Sequence, residues 1–189
     1  MIQSLASIKK DSIFNYKMIR LQDIHNSLLK EQSSPYKIYC DMDGVLCDFE
    51  KRFEDLTGLS PNSFRQAKGI NEFWEVIDGD GVKFWRGMPW MPDGKILFDY
   101  IKKYHPTLLS SPSWDESSRI GKHLWVKKNT PGVKLILAPR KTKQNYSQKG
   151  HILIDDLKIT IEEWNSKGGI GILHTSASST IEELKKLGL

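Results

Sequence analysis

Three aspartates, Asp41, Asp43 and Asp48, fall within eight positions of "YKIYCDMDGVLCDFE", residues 36–50, directly after a short apolar run. Acidic clusters generally sit on solvated loops, but this one is launched from a segment that reads as a buried strand. Two carboxylates two residues apart in a loop can converge on one hard cation. Mg²⁺ suits such a site, because it takes few oxygens from protein and the rest from water and phosphate. A carboxylate can also attack phosphorus and carry it as an aspartyl phosphate. A second carboxylate can then protonate the leaving oxygen and later activate water. Another acidic pair, Asp155 and Asp156, ends "HILIDD". "LLSSP" offers Ser110 and Ser111, suited to hydrogen-bond phosphate oxygens, and "PRKTKQ" supplies Lys141 and Lys143 to balance phosphate charge.

The elements around these residues alternate. "YKIYC", "PTLLSS", "VKLILA", "HILID" and "GIGILH" are short and apolar on both faces, as parallel strands covered on both sides must be. Helical segments lie between them at "DGKILFDYIKKY", "ESSRIGKHLWVKK", "TIEEWNSK" and "TIEELKKLG". Thr160 with Glu163, and Ser179 with Glu182, fit capping boxes at two helix starts, and Gly168 fits a helix stop. The pattern implies an α/β doubly wound parallel sheet over residues 35–48 and 93–189. In such sheets ligands bind beyond the carboxyl ends of the strands, which is where Asp41, Ser110 and Asp155 fall. Gly44 permits a sharp turn after Asp43.

Residues 49–92 break the alternation. They hold short helical pieces, one opened by Ser60-Pro61, and eight aromatic residues from Phe49 to Trp90. They read as a small helical cap inserted after the first strand. Most of its rings should be core, with two or three lining a pocket; Phe49 and Trp85 are the first candidates, followed by Trp74. Residues 1–34 read as an N-terminal helical arm.

The composition, 39% hydrophobic and 27% charged, is that of a soluble globular chain. No apolar run reaches the ~20 residues of a membrane span, and no secretory signal opens the sequence, so a cytoplasmic setting is expected. The net charge is +5, and Arg119 to Lys149 carries nine Lys or Arg residues and no Asp or Glu. A one-sign stretch biases the local field toward anions. Cys40 and Cys47 form no disulfide framework. A cysteine-phosphatase loop needs Arg six positions after its Cys, where this chain has Leu46 and Phe53. No P-loop, complete dinucleotide fingerprint or zinc spacing is present.

Taken in order, "DMDGVLCD", a strand-terminal Ser, a downstream Lys and "LIDD" resemble the four motifs of the haloacid dehalogenase superfamily. Through "CDMDGVLCDFE", "SSP", "GKHLWV" and "ILIDD" the chain is similar to the cytosolic type C group of 5′(3′)-deoxyribonucleotidases. The tail "GGIGILHTSASSTIEELKKLG" strengthens the likeness to phage-borne members. The resemblance covers residues 36–189. It implies a Rossmann-like core and a Mg²⁺-dependent phosphatase acting on nucleoside monophosphates in nucleotide metabolism. It makes Asp41 the nucleophile, Asp43 the general acid/base, and Ser110 the phosphate-binding hydroxyl, with Ser111 assisting. Asp155 becomes a metal ligand with Asp156 nearby, Asp41 and the backbone carbonyl of Asp43 completing the set. For the lysine, Lys143, 12 residues before Asp155, comes first, and Lys141, 14 before, second. Two alternatives stand beside this reading: a phosphatase acting on phosphorylated nucleic-acid ends, and a non-catalytic nucleic-acid- or protein-binding module on the same fold.

Overall fold

Five short strands, β1 (Lys37–Cys40), β2 (Thr107–Ser110), β3 (Lys134–Leu137), β4 (His151–Asp155) and β5 (Ile170–Leu173), pair in parallel in the order β3-β2-β1-β4-β5. The structure, a computed structural model, describes residues 35–189; the expected arm at 1–34 lies outside the described residues. Alternation along the strands fills two cores at once. Ile38, Cys40, Leu108, Ile152 and Ile154 enter one cluster, while Tyr39, Leu109 and Leu153 enter the other. Successive side chains point to opposite faces, so a sheet covered on both sides needs apolar residues at nearly every position.

Between β1 and β2 the chain forms α1 (Phe49–Thr57), α2 (Pro61–Lys68), α3 (Ile70–Asp80), α4 (Val82–Arg86) and α5 (Gly94–Ile101). The crossover helices further on are α6 (Glu116–Asn129) and α7 (Lys158–Ser166), and α8 (Ala177–Lys186) follows the last strand. Ser60 caps α2, and Pro61 is its first residue. Gly168, at φ +87°, follows the end of α7.

Two helix starts differ from the capping-box expectation. Helix α7 begins at Lys158, leaving Thr160 inside it with a buried, unpartnered hydroxyl. The reason is Asp155, whose Oδ1 accepts from the Leu157 N–H at 2.9 Å and starts the turn earlier. Helix α8 is capped by Ser176, which accepts from the Ser179 N–H at 3.2 Å. Asp93 reaches the same end and accepts from the Ala177 N–H at 2.6 Å.

The helical insertion leaves and rejoins the sheet through a backbone clamp. The Asp48 N–H donates to Pro89 O at 2.9 Å, the Met91 N–H donates to Leu46 O at 2.8 Å, and Cys47 bridges Trp90. Helix α4 then lies directly on α6. A Cβ on Gly121 would fall 2.4 Å from the Cβ of Trp85, so only glycine permits this approach. Insertion and sheet belong to one compact unit, Tyr36–Leu189. Among the described residues no helix is long and apolar enough to cross a membrane.

Candidate active site

Strand β1 ends at Cys40, and the chain at once makes a tight loop: the N–H groups of Val45, Leu46 and Cys47 all donate to Met42 O. Gly44 takes φ +75° in this loop, and a Cβ there would fall 2.5 Å from Asp156 Oδ2. The glycine therefore supplies both the turn and the room for the carboxylate arriving from β4.

Asp41 is fixed at both oxygens. Its Oδ1 accepts from the Met42 N–H at 2.7 Å, and its Oδ2 lies 2.8 Å from Lys143 Nζ. The same ammonium lies 2.8 Å from Asp155 Oδ2. All three side chains are buried. Burial disfavours charge on Lys143, but Asp41 and Asp155 outweigh it and hold its pKa above the usual lysine range. Burial, followed by the Asp41 charge, pushes Asp155 up to about 6 against the pull of Lys143. Burial, then Asp41 and Asp155, push Asp156 up to about 7. Three carboxylates sharing one ammonium leave excess negative charge, and such a cluster titrates upward.

Ligand oxygens of Asp41, Asp155 and Asp156 lie within 4.8 Å of one another. An all-carboxylate donor set at this spacing fits a hard divalent cation rather than a soft one. The space kept by Gly44 beside Asp156 fits the same purpose.

Asp43 is held differently. Its Oδ2 accepts from Lys122, a lysine of α6 with no exposed surface, which also donates to Ser110 Oγ at 2.8 Å. Its Oδ1 is buried without a partner. Burial raises the Asp43 carboxyl above the ordinary carboxylate range; Lys122 opposes this and Asp41 reinforces it.

Asp41, Asp43, Lys143, Asp156 and Ser111 line one cleft of about 880 Å³, and Phe49, Trp74 and Trp85 form its wall on the insertion side. That volume lies within the range of small-molecule sites. Phe49 and Trp85 have ring centroids 5.8 Å apart, and Lys122 Nζ sits 5.3 Å from the Trp85 ring centroid. Trp85 is 3% exposed and its indole N–H has no partner.

The two serines exchange the positions expected of them. Ser110 is fully buried behind the wall and holds Lys122, whereas Ser111 reaches the cleft with its hydroxyl unpartnered. Ser110 ends the strand facing inward, and the next residue along turns outward. Lys141 is exposed and lies outside the cleft lining, so Lys143 is the lysine the fold brings to the acids. The sequence motifs do not single out Lys122. Its signal is a charge within the buried face of α6, where Ser118, Gly121, Trp125 and Val126 are its neighbours. Cys40 and Cys47 are free and buried, and burial pushes both thiols well up, which leaves them inert.

No protein-family model matches the sequence, and no curated protein matches it. Solved structures do. A hydrolase from Streptococcus pneumoniae TIGR4 superposes with a TM-score of 0.50 at 15% identity, over 80% of this chain and 100% of that one. A haloacid dehalogenase-like family hydrolase from Streptococcus pneumoniae gives 0.45 at 11% identity, over 79% and 91%. A hydrolase from Pseudomonas syringae gives 0.43 at 11%, over 80% and 98%. At these identities the likeness concerns the fold. What is shared with the Streptococcus pneumoniae TIGR4 hydrolase is an α/β fold, here five parallel strands in the order β3-β2-β1-β4-β5 with a helical insertion after β1.

Proposed function

We infer that the protein is a phosphomonoester hydrolase working through an aspartyl phosphate on Asp41, with nucleoside monophosphates as substrates, the deoxy forms first in line with the sequence resemblance. The observation that carries the reading is the division of labour between two adjacent carboxylates opening on one cleft. Asp41 is locked between a backbone N–H and Lys143, while Asp43 keeps one oxygen free.

In the first step an Asp41 oxygen forms the bond to phosphorus as the bond from phosphorus to the ester oxygen breaks. Asp43 gives its proton to the departing oxygen; its raised pKa favours the protonated form needed there. In the second step water attacks the aspartyl phosphate. Asp43 takes the water's proton, and phosphate leaves with the Asp41 carboxylate restored. Lys143 and the Ser111 hydroxyl, which line the cleft, are the donors available to the phosphoryl oxygens, while Lys122 acts from behind by holding Asp43. Mg²⁺, held by Asp41, Asp155, Asp156 and the Asp43 carbonyl, would supply charge screening between carboxylate and phosphate. The rings of Phe49, Trp74 and Trp85 offer flat apolar surface to a nucleobase.

A panel of phosphorylated metabolites assayed with Mg²⁺ tests the reading. Phosphate release from nucleoside monophosphates is expected, and Asp41→Asn should lose roughly 10⁴-fold or more, because an amide cannot form the acyl phosphate. Substantial turnover by Asp41→Asn, or full turnover in excess chelator, would overturn it.

A further inference from the structure

On the outer side of the α4–α6 pair lies a second concavity of about 660 Å³. It is lined by Arg86, Gly87, Leu124, Lys127 and Lys128, and it shares no residue with the cleft lining. Arg86, Lys127 and Lys128 are exposed, and among the described residues no ion pair engages any of them. Lys83 stands three residues before Arg86 on α4, where a helix brings side chains to the same face, and is likewise exposed and unpaired.

Two basic residues in the last turn of α6 are ordinary partners of a helix dipole. Arg86, in the last turn of a different helix, faces the same concavity, so the ends of two helices bring their cations together there. No acid lines the groove. The acids of α6, Asp115 and Glu116, stand at its other end, about 16 Å from Lys127 at 1.5 Å per residue, and Glu116 is already 3.4 Å from Arg119. The close contact of α4 with Gly121 fixes the groove, because the two helix backbones cannot slide apart without losing it.

We propose that this groove binds the phosphodiester backbone of single-stranded nucleic acid. Its cations are unpaired, its guanidinium can grip a phosphate with two N–H groups, and its only apolar wall is one leucine side chain. A concavity of this kind fits a linear polyanion better than a flat bilayer. Three cations on successive phosphates give a salt dependence with a slope of about −2 on logarithmic axes. The site does not depend on the phosphatase reading, since the cleft and the groove share no side chain.

The test uses the full chain and a fluorescent 20-nucleotide DNA strand bearing hydroxyls at both ends, so that it offers no monoester. Anisotropy titrations are run from low to physiological salt. Binding with the stated slope is expected. The triple variant Arg86→Glu, Lys127→Glu, Lys128→Glu should weaken it by about tenfold or more, while Lys127→Arg, Lys128→Arg, which keeps Arg86 and the charge, keeps it. An unchanged thermal midpoint and unchanged hydrolysis of a small monoester would show the triple variant to be folded. No binding at low salt, or equal binding by the glutamate variant, overturns the proposal. So does equally variant-sensitive binding of polyglutamate or of anionic phospholipid vesicles, which would assign the groove to another class of partner.

Discussion

The two buried lysines hold the two halves of the acidic loop in different ways. Lys143 stands between two carboxylates, 2.8 Å from each, and comes from the turn Arg140–Tyr146 on the core side. Lys122 stands between one carboxylate and a neutral hydroxyl, and comes from the helix on which the insertion packs. The first arrangement keeps an uncompensated negative charge in place, which suits a nucleophile and a cation site. The second leaves Asp43 with one satisfied and one free oxygen, which suits a group that must gain and lose a proton. In the proposed reaction the nucleophile would then be tuned from the turn Arg140–Tyr146, and the proton-transfer group by a residue within reach of the insertion.

Breaking each lysine contact in turn tests that contrast. Lys143→Met leaves Asp41 and Asp155 facing each other in the interior, and should lose about 3–5 kcal/mol of stability at pH 8 in chelator. Lys122→Met should lose only about 1–2 kcal/mol, because Asp43 can escape by taking up a proton. Urea unfolding of both variants checks the order, and equal losses would erase the distinction.

The insertion side can be probed through its rings. Stacking of a base on an aromatic side chain contributes roughly 1–3 kcal/mol, or about 5- to 150-fold. Phe49→Ala or Trp85→Ala should lower kcat/KM for nucleotides within that range and leave glycerol phosphate nearly untouched. Equal losses on both substrates would make the rings structural and reduce the nucleotidase reading to an unspecified phosphatase.

The smallest effect concerns pH. Asp155 and Asp156 titrate near 6 and 7 in the folded chain, against about 4 in an unfolded one. The fold therefore disfavours their ionised forms, so their contribution to stability falls as pH rises from about 4 through 7. Asp156→Asn in chelator should melt above the parent by about 2–4 °C at pH 8, because water at its exposed edge screens the repulsion. The gap should close at pH 5, and Mg²⁺ should raise the parent's midpoint at pH 8. A gap equal at both pH values would mean that charge is not its cause.

Much of this arrangement is legible along the chain, because strand ends and carboxylates are local signals. Asp41, Asp43 and Asp155 stand at the ends of apolar runs, and Gly44 marks the turn. Lys143 is found by its spacing from Asp155. What escapes is whatever depends on which residues meet across the fold. Lys122 gains its role only because α4 lies on Gly121 and β2 presents Ser110 from beneath. The helix starts at α7 and α8 escape for a related reason. "TIEE" can begin a helix alone, but Asp155 turns the chain three residues sooner. Ser176 and Ser179 could each cap α8, and the contact from Asp93 to Ala177 favours the earlier one.

The backbone clamp from Leu46–Asp48 to Pro89–Met91 has a consequence for how such a protein can change over time. Loop-closure cost grows only with the logarithm of length, about 0.6 kcal/mol per doubling, and here the two ends are joined whatever lies between them. The length of the excursion from Phe49 to Met88 can therefore change at small closure cost, provided that buried side chains such as those of Phe53, Ile77 and Phe84 are still supplied to the core and something still covers Gly121. The wall of the cleft formed by Phe49, Trp74 and Trp85 could thus be rebuilt while the carboxylates at the ends of β1 and β4 stay where they are.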